Sequence, residues 1–223
     1  MKKLFNAIRN NEKETVKQLI QNKPELVNCI AKQPPKKDDG QSPLQVSLKT
    51  NNLEIAEYLI EMGANVNFIE DVSCCNSFRT PVIHDAINAA VMNSRWNTNN
   101  ENTGIKVFSA EKEAQRAYDV LEKMIDLGAN VNGIDSYGNS CFWRFCLQAH
   151  QILPSYDYNN HCVRNDRIFT KELEDDLLRI VKLLIKHGAD IYYKSPNTKC
   201  SVLDFYKEGP LSDFLKKHIY NKK

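Results

Sequence analysis

The sequence predicts an all-α solenoid of stacked helix pairs with hairpin-like connections, and two observations carry that prediction. An apolar helix ending in Gly-Ala recurs along the chain, and a polar turn with a Ser or Thr cap stands beside most copies. At 223 residues, with 42% hydrophobic and 26% charged side chains, the composition is that of a folded globular chain. A net charge of +2 argues against binding nucleic acid or membrane through overall charge.

Taken in order, the helical copies begin with the short stretch Val16-Lys17-Gln18-Leu19-Ile20. The second runs from Ile55 through Leu59 and Ile60 to Gly63-Ala64-Asn65-Val66-Asn67. The third runs from Val120 through Leu121 and Met124 to Gly128-Ala129-Asn130-Val131-Asn132, and the fourth from Ile180 through Leu184 to Gly188-Ala189-Asp190-Ile191. Apolar residues at helical spacing followed by Gly fit a helix that ends in the left-handed region. Upstream elements start at Ser42-Pro43, Thr80-Pro81, Ser140-Cys141 and, in a degenerate form, Ser201-Val202. A hydroxyl cap followed by Pro at the first helical position explains the first two.

The pattern resembles the ankyrin-repeat family. That family has a turn, then Gly-x-Thr-Pro-Leu-His-x-Ala opening an inner helix, then an outer helix ending Leu-Leu-x-x-Gly-Ala-x-Val-Asn. Gln45 stands at the family's His position in the second repeat, and Thr80-Pro81-Val82-Ile83-His84-Asp85-Ala86 is one residue longer than the family spacing. The resemblance implies a single domain over 1–223, with repeats at about 1–30, 37–67, 77–132, 135–191 and 195–220. The first and last resemble caps.

Spacing locates the departures. Ser42 to Gly63 spans 21 residues, whereas Thr80 to Gly128 and Ser140 to Gly188 each span 48. Two neighbouring repeats therefore each carry 27 extra residues, as insertions at about 94–112 and 151–172. Ser109 and Thr170 look like caps of lengthened outer helices, running to about Leu127 and His187. What remains is two loops, about 94–108 and 151–169, expected side by side opposite the turn tips. Such loops are either passive decoration or a built binding surface.

No phosphate-cradling Gly-rich loop, His-Glu-x-x-His pair or Gly-x-Ser-x-Gly elbow occurs, so neither catalysis nor a cofactor is expected. Cys141, Cys146, His150, His161 and Cys162 offer zinc-type ligands, but Cys141 and Cys146 fall where an inner helix is normally core. No bound metal is therefore expected. Seven cysteines at irregular spacing read as reduced thiols, and Cys74-Cys75 are either redox-active or incidentally exposed. His84 matches a family histidine that serves hydrogen bonds between repeats.

Candidate partner-binding residues are of two kinds. Residues 38–75 carry seven acids against one Lys, and there Asp38, Asp39, Glu70 and Asp71 would attract a basic surface. Phe78, Arg79, Arg95, Trp96, Tyr137, Tyr156, Tyr158, Arg164, Arg167, Tyr192 and Tyr193 are types that dominate interfaces, placed on loops and connections. Trp143 either anchors a partner or plugs space in the fold.

The expected function is a non-enzymatic module that binds a protein partner through turn tips, inner helices and insertions, monomeric when free. No membrane span or signal-peptide core follows Met1-Lys2-Lys3, so a cytoplasmic location is expected. With 24 asparagines the composition looks like that of an AT-rich, bacterial source. Small ankyrin proteins of that kind resemble immunity proteins that neutralise a toxin such as a basic nuclease, which the acidic band fits. Viral host-range ankyrin proteins are a further resemblance, weakened by the lack of an F-box-like segment. Nucleic-acid binding through the basic ends is an alternative of another class, disfavoured because capping repeats are solubilising by nature. A small-molecule ligand is not expected.

Overall fold

The computed structural model describes residues 1–73 and 75–220. The helices follow the sequence periodicity: α1 Lys2–Arg9, α2 Lys13–Asn22, α3 Pro43–Lys49, α4 Leu53–Glu61 and α5 Val82–Met92. Then come α6 Glu111–Asp126, α7 Cys141–Ile152, α8 Lys171–Lys186, α9 Val202–Phe205 and α10 Pro210–Leu215. Two small antiparallel hairpins interrupt them, β1 Asn97–Asn100 with β2 Gly104–Val107, and β3 Tyr156–Asp157 with β4 Cys162–Val163.

Consecutive helices pack in pairs, α1 on α2, α3 on α4, α5 on α6 and α7 on α8. The pairs then pack on one another in two rows. Inner helices α1, α3, α5 and α7 touch in succession, as do outer helices α2, α4, α6 and α8, and α10 closes on α7. The result is an all-α repeat fold. Its core follows from the apolar stripe of each helix: Leu44 and Leu48 in α3, Ile55 and Leu59 in α4, Val82, Ile87 and Val91 in α5. The largest buried rings lie in α7, where Phe142, Trp143 and Phe145 fill the layer above α5.

Helix starts show which caps the side-chain chemistry supports. Ser42 accepts from Gln45 N in a reciprocal capping box, Ser140 accepts from Trp143 N and Thr170 from Leu173 N. Ser201 and Asp204 form a second capping box. Two expected caps are corrected. Thr80 does not cap α5, because the extra residue moves the first helical position to Val82 and makes Pro81 the N-cap. Ser109 does not cap α6, because Ala110 takes that place and the Ser109 hydroxyl faces the Ala110 carbonyl instead. Both lengthened outer helices have 16 residues against nine in α4, an extension of seven residues. That adds roughly 10 Å at 1.5 Å per residue.

Gly63, Gly128 and Gly188 end their helices at φ of +86° to +88°, where a Cβ is disfavoured. Across the outer row, Glu54 joins Lys13 and Arg116, and Lys123 meets Glu61 at 2.8 Å. The bonds from Arg116 and Lys13 hold the Glu54 carboxyl down to about 2.

Candidate protein-interaction surface

Two ladders of side chains tie each repeat to the next. On the inner helices Gln45 Nε2 donates to Thr80 O at 3.2 Å, His84 Nε2 to Gly133 O at 2.9 Å, and Trp143 Nε1 to Tyr193 O at 3.2 Å. An amide, an imidazole and an indole thus perform one task at equivalent places. The carbonyl acceptor assigns the His84 proton to Nε2. Burial holds the ring neutral, down to about 4, so its Nδ1, 3.9 Å from Asp135, forms no ion pair near neutral pH. On the other side, Asn28, Asn67 and Asn132 repeat a two-bond clamp. Each amide donates to the carbonyl of the next helix-ending glycine, at Gly63, Gly128 and Gly188. Each side-chain oxygen accepts from the N–H two residues further on, at Asn65, Asn130 and Asp190.

The acidic band is largely absorbed by this framework. Asp38 is 5% exposed and ion-paired with Arg9. Glu70, also 5% exposed, takes bonds from Gln41 Nε2 and Thr80 N and pairs with Lys49. Asp39 accepts from Ser73 Oγ and Gln33 N. Asp71 alone of the four is exposed, at a turn bonded through its N–H to Gly40 O. Asp38 and Glu70 therefore do not form an open negative face. Their cationic partners come from other elements, which local sequence does not reveal.

The aromatic set divides similarly. Trp143 is 2% exposed, edge-on to Phe205, and plugs the fold instead of meeting solvent. Tyr193 is half-buried beside it. At the turn tips Phe78 stacks on Tyr137 at 4.9 Å with the Arg144 guanidinium above it, and Arg79 is exposed alongside. The neighbouring turns are joined there through Ser136 N to Arg79 O and Arg79 N to Ser136 Oγ, both 2.9 Å. Tyr192 is exposed and edge-on to Tyr220.

The loops at about 94–108 and 151–169 interlock. Asn99 N donates to Asp166 O at 2.7 Å, and Asn97 exchanges two bonds with the Ile168 backbone at 2.8 Å each. Arg95 grips buried Asp176 of α8 through Nε and Nη2, both 3.0 Å. Within the second loop Tyr156 packs on Tyr158 and bonds Glu208, while Arg164 and Arg167 pair with Asp157 and Asp166. Trp96 stacks on Phe108 at 4.2 Å. The stack walls a cleft of about 450 Å³ whose floor is α3 and α5, with Lys49, Asp85 and Asn88 among its lining.

The Cys and His residues considered for zinc are not brought together. Cys141 and Cys146 are buried thiols in α7; burial pushes the first up to about 12 and the second well above its usual value. His150 packs on Tyr206, His161 bonds Glu208, and Cys162 is exposed on β4. Among the described residues no group of three or more His, Cys, Asp or Glu is placed to hold a metal. Of the Cys74-Cys75 pair, Cys74 lies outside the described residues, and the Cys75 thiol contacts Gln33 Oε1 at 3.3 Å.

Two rows of helix pairs, glycine-ended outer helices and side-chain ladders between turns lead to one comparison. Residues 4–95 match the family model for ankyrin repeats, in three copies. That stretch is built of ankyrin repeats. Ankyrin repeats generally mediate protein–protein interaction and are typically non-enzymatic modules. Beyond the matched residues, the same Asn clamp and inner-helix bond recur at Asn132 and Trp143. Among the described residues no helix is long and apolar enough to cross a membrane.

Proposed function

We propose that the chain is one solenoid, enlarged in its third and fourth repeats by insertions at about 94–112 and 151–172, that binds a protein partner. The surface runs from the turn-tip stack of Phe78 and Tyr137, across the inner helices, to the wall formed by the two insertions. The observation that carries this reading is the interlocking of the two loops through Asn97, Asn99 and Arg95. Bonded to one another, they form a fixed wall beside the inner helices, which lowers the ordering cost of binding. The acids that motivated a toxin-neutralising role are half buried in internal ion pairs, so that role is not carried forward.

The test is purification of the tagged protein from its own cells, alongside a Phe108→Ala, Tyr137→Ala double variant. Both side chains are exposed, so the fold should survive their loss. The wild type should retain a protein in near-stoichiometric amount, and the variant should lose it. Retention of nothing, or equal retention by both, overturns the proposal. Material that leaves with nuclease and falls steeply with salt would instead point to the basic ends.

A further inference from the structure

The inner-helix cleft contains a carboxylate with no counter-ion of its own. Asp85 projects from α5 and is only 4% exposed. Among the described residues its side chain receives one hydrogen bond, from Gln45 Nε2 to Oδ2 at 3.1 Å. The charged groups that act on it come from three elements: Lys49 on α3, Glu70 on the preceding connection and Arg144 on α7. Both cations are committed elsewhere, Lys49 to Glu70 and Arg144 to Asp135 at 2.6 Å. Glu70 adds repulsion. Buried without a dedicated cation, the carboxyl is pushed up to about 7. One helical turn on, Asn88 Oδ1 is buried beside the same cleft with no hydrogen-bond partner. Two acceptors on one face of α5 thus stand under-filled.

Trp96 and Phe108, stacked on one another, also line the cleft, and the Lys106 ammonium already lies 5.0 Å from the Phe108 ring. An acceptor-rich floor, one uncompensated negative charge and an aromatic wall fit a planar cation that both donates in a fork and stacks. We propose that this cleft receives an arginine side chain of the protein partner, its guanidinium donating to Asp85 and lying against Trp96. Arginine fits better than lysine because an ammonium neither forks onto a carboxylate nor stacks. The inference rests on the reading of the chain as a protein-binding module, and its test does not depend on finding that partner.

The probe is N-acetyl-arginine methylamide, titrated into ¹⁵N-labelled full-length protein while the indole N–H signals of Trp96 and buried Trp143 are followed. Trp96 should shift saturably, in the millimolar range, and Trp143 should not. The neutral isostere N-acetyl-citrulline methylamide should bind at least tenfold more weakly. Affinity for the arginine probe should rise about tenfold from pH 6 to pH 8 as Asp85 ionises. Asp85→Asn presents an amide donor to the cleft and should abolish both binding and its pH dependence. Equal binding of the arginine and citrulline probes, or no saturable shift at Trp96, overturns the proposal. That comparison uses wild-type protein alone, so it stands even if the variant does not fold. A positive titration with no partner found in cells would instead count against the wider reading.

Discussion

Replacing Asp85 by Asn removes a charge while keeping an oxygen for Gln45 Nε2 to bond. The magnitude follows from the position of the carboxyl, which moves from 3.8 in the unfolded chain to about 7 in the buried site. Each unit is worth about 1.4 kcal/mol, so the ionised group costs the native state about 4 kcal/mol at pH 8. The folded protein holds this proton more tightly than the unfolded chain. The contribution is therefore fully present below pH 3.8, declines as pH rises toward 7, and is lost above it. His84 acts in the opposite sense. Its position falls from 6.5 to about 4, so acid destabilises the fold between those values and the two slopes nearly cancel there in the wild type. Urea denaturation of wild type and Asp85→Asn at pH 4, 6 and 8 separates them, because His84 is common to both. The variant should gain on the wild type steadily from pH 4 to 7, reaching a relative gain of about 4 kcal/mol at pH 8. A difference that stays constant across that range would refute the reasoning.

The remaining predictions concern the framework. Asn67→Ala removes the bonds to Gly128 O and Asn130 N, both exposed, and should cost about 1 kcal/mol in chemical denaturation. Gly138→Ala combines φ of +76° with a Cβ that would lie 2.5 Å from Pro196 Cγ, whereas Gly128→Ala meets nothing within 4 Å. Thermal melts should therefore show a clearly larger loss at 138 than at 128, where strain alone costs about 1 kcal/mol. Arg95→Ala removes two charged hydrogen bonds from Asp176, 2% exposed, but leaves it Arg179 at 3.4 Å and the backbone N–H of residue 95, and should cost about 2 kcal/mol. In the same variant hydrogen exchange should quicken at Asn99, whose N–H is bonded to Asp166 O.

What was legible in the sequence was what is local. Ser42, Ser140 and Thr170 cap the residues immediately after them, and a hydroxyl bonding three positions ahead needs no tertiary knowledge. The glycines at 63, 128 and 188 end helices for the same local reason. The Asn clamp was visible as a residue type but not as a device, because Asn67 acts on Gly128 and Asn130, more than sixty positions away. The acids misled for a related reason: Asp38 is neutralised by Arg9 and Glu70 by Lys49, through packing and not through sequence proximity. The hairpin Asn97–Val107 gave little alternation to read. Its strand Asn97–Asn100 is wholly polar and is held by bonds to Asn165 and Ile168.

Two departures from the family pattern, far apart in sequence, meet at one contact. Position 45 holds Gln where the family has His, and the Thr80–Ala86 motif carries one extra residue ahead of the next inner helix, which starts at Val82 and has Asp85 following His84. A neutral imidazole has one N–H, enough for the bond to the following turn that His84 makes to Gly133. Gln45 has to make that bond, to Thr80 O, and also to satisfy the carboxylate that α5 presents to it. A primary amide nitrogen with two hydrogens does both, at 3.2 and 3.1 Å, while its oxygen faces Ser42 N to complete the α3 cap. A histidine at 45 would leave one of these groups unfilled. The glutamine therefore follows from keeping an acid at 85, and the acid, which costs stability where it sits, is the group that the proposed arginine would meet.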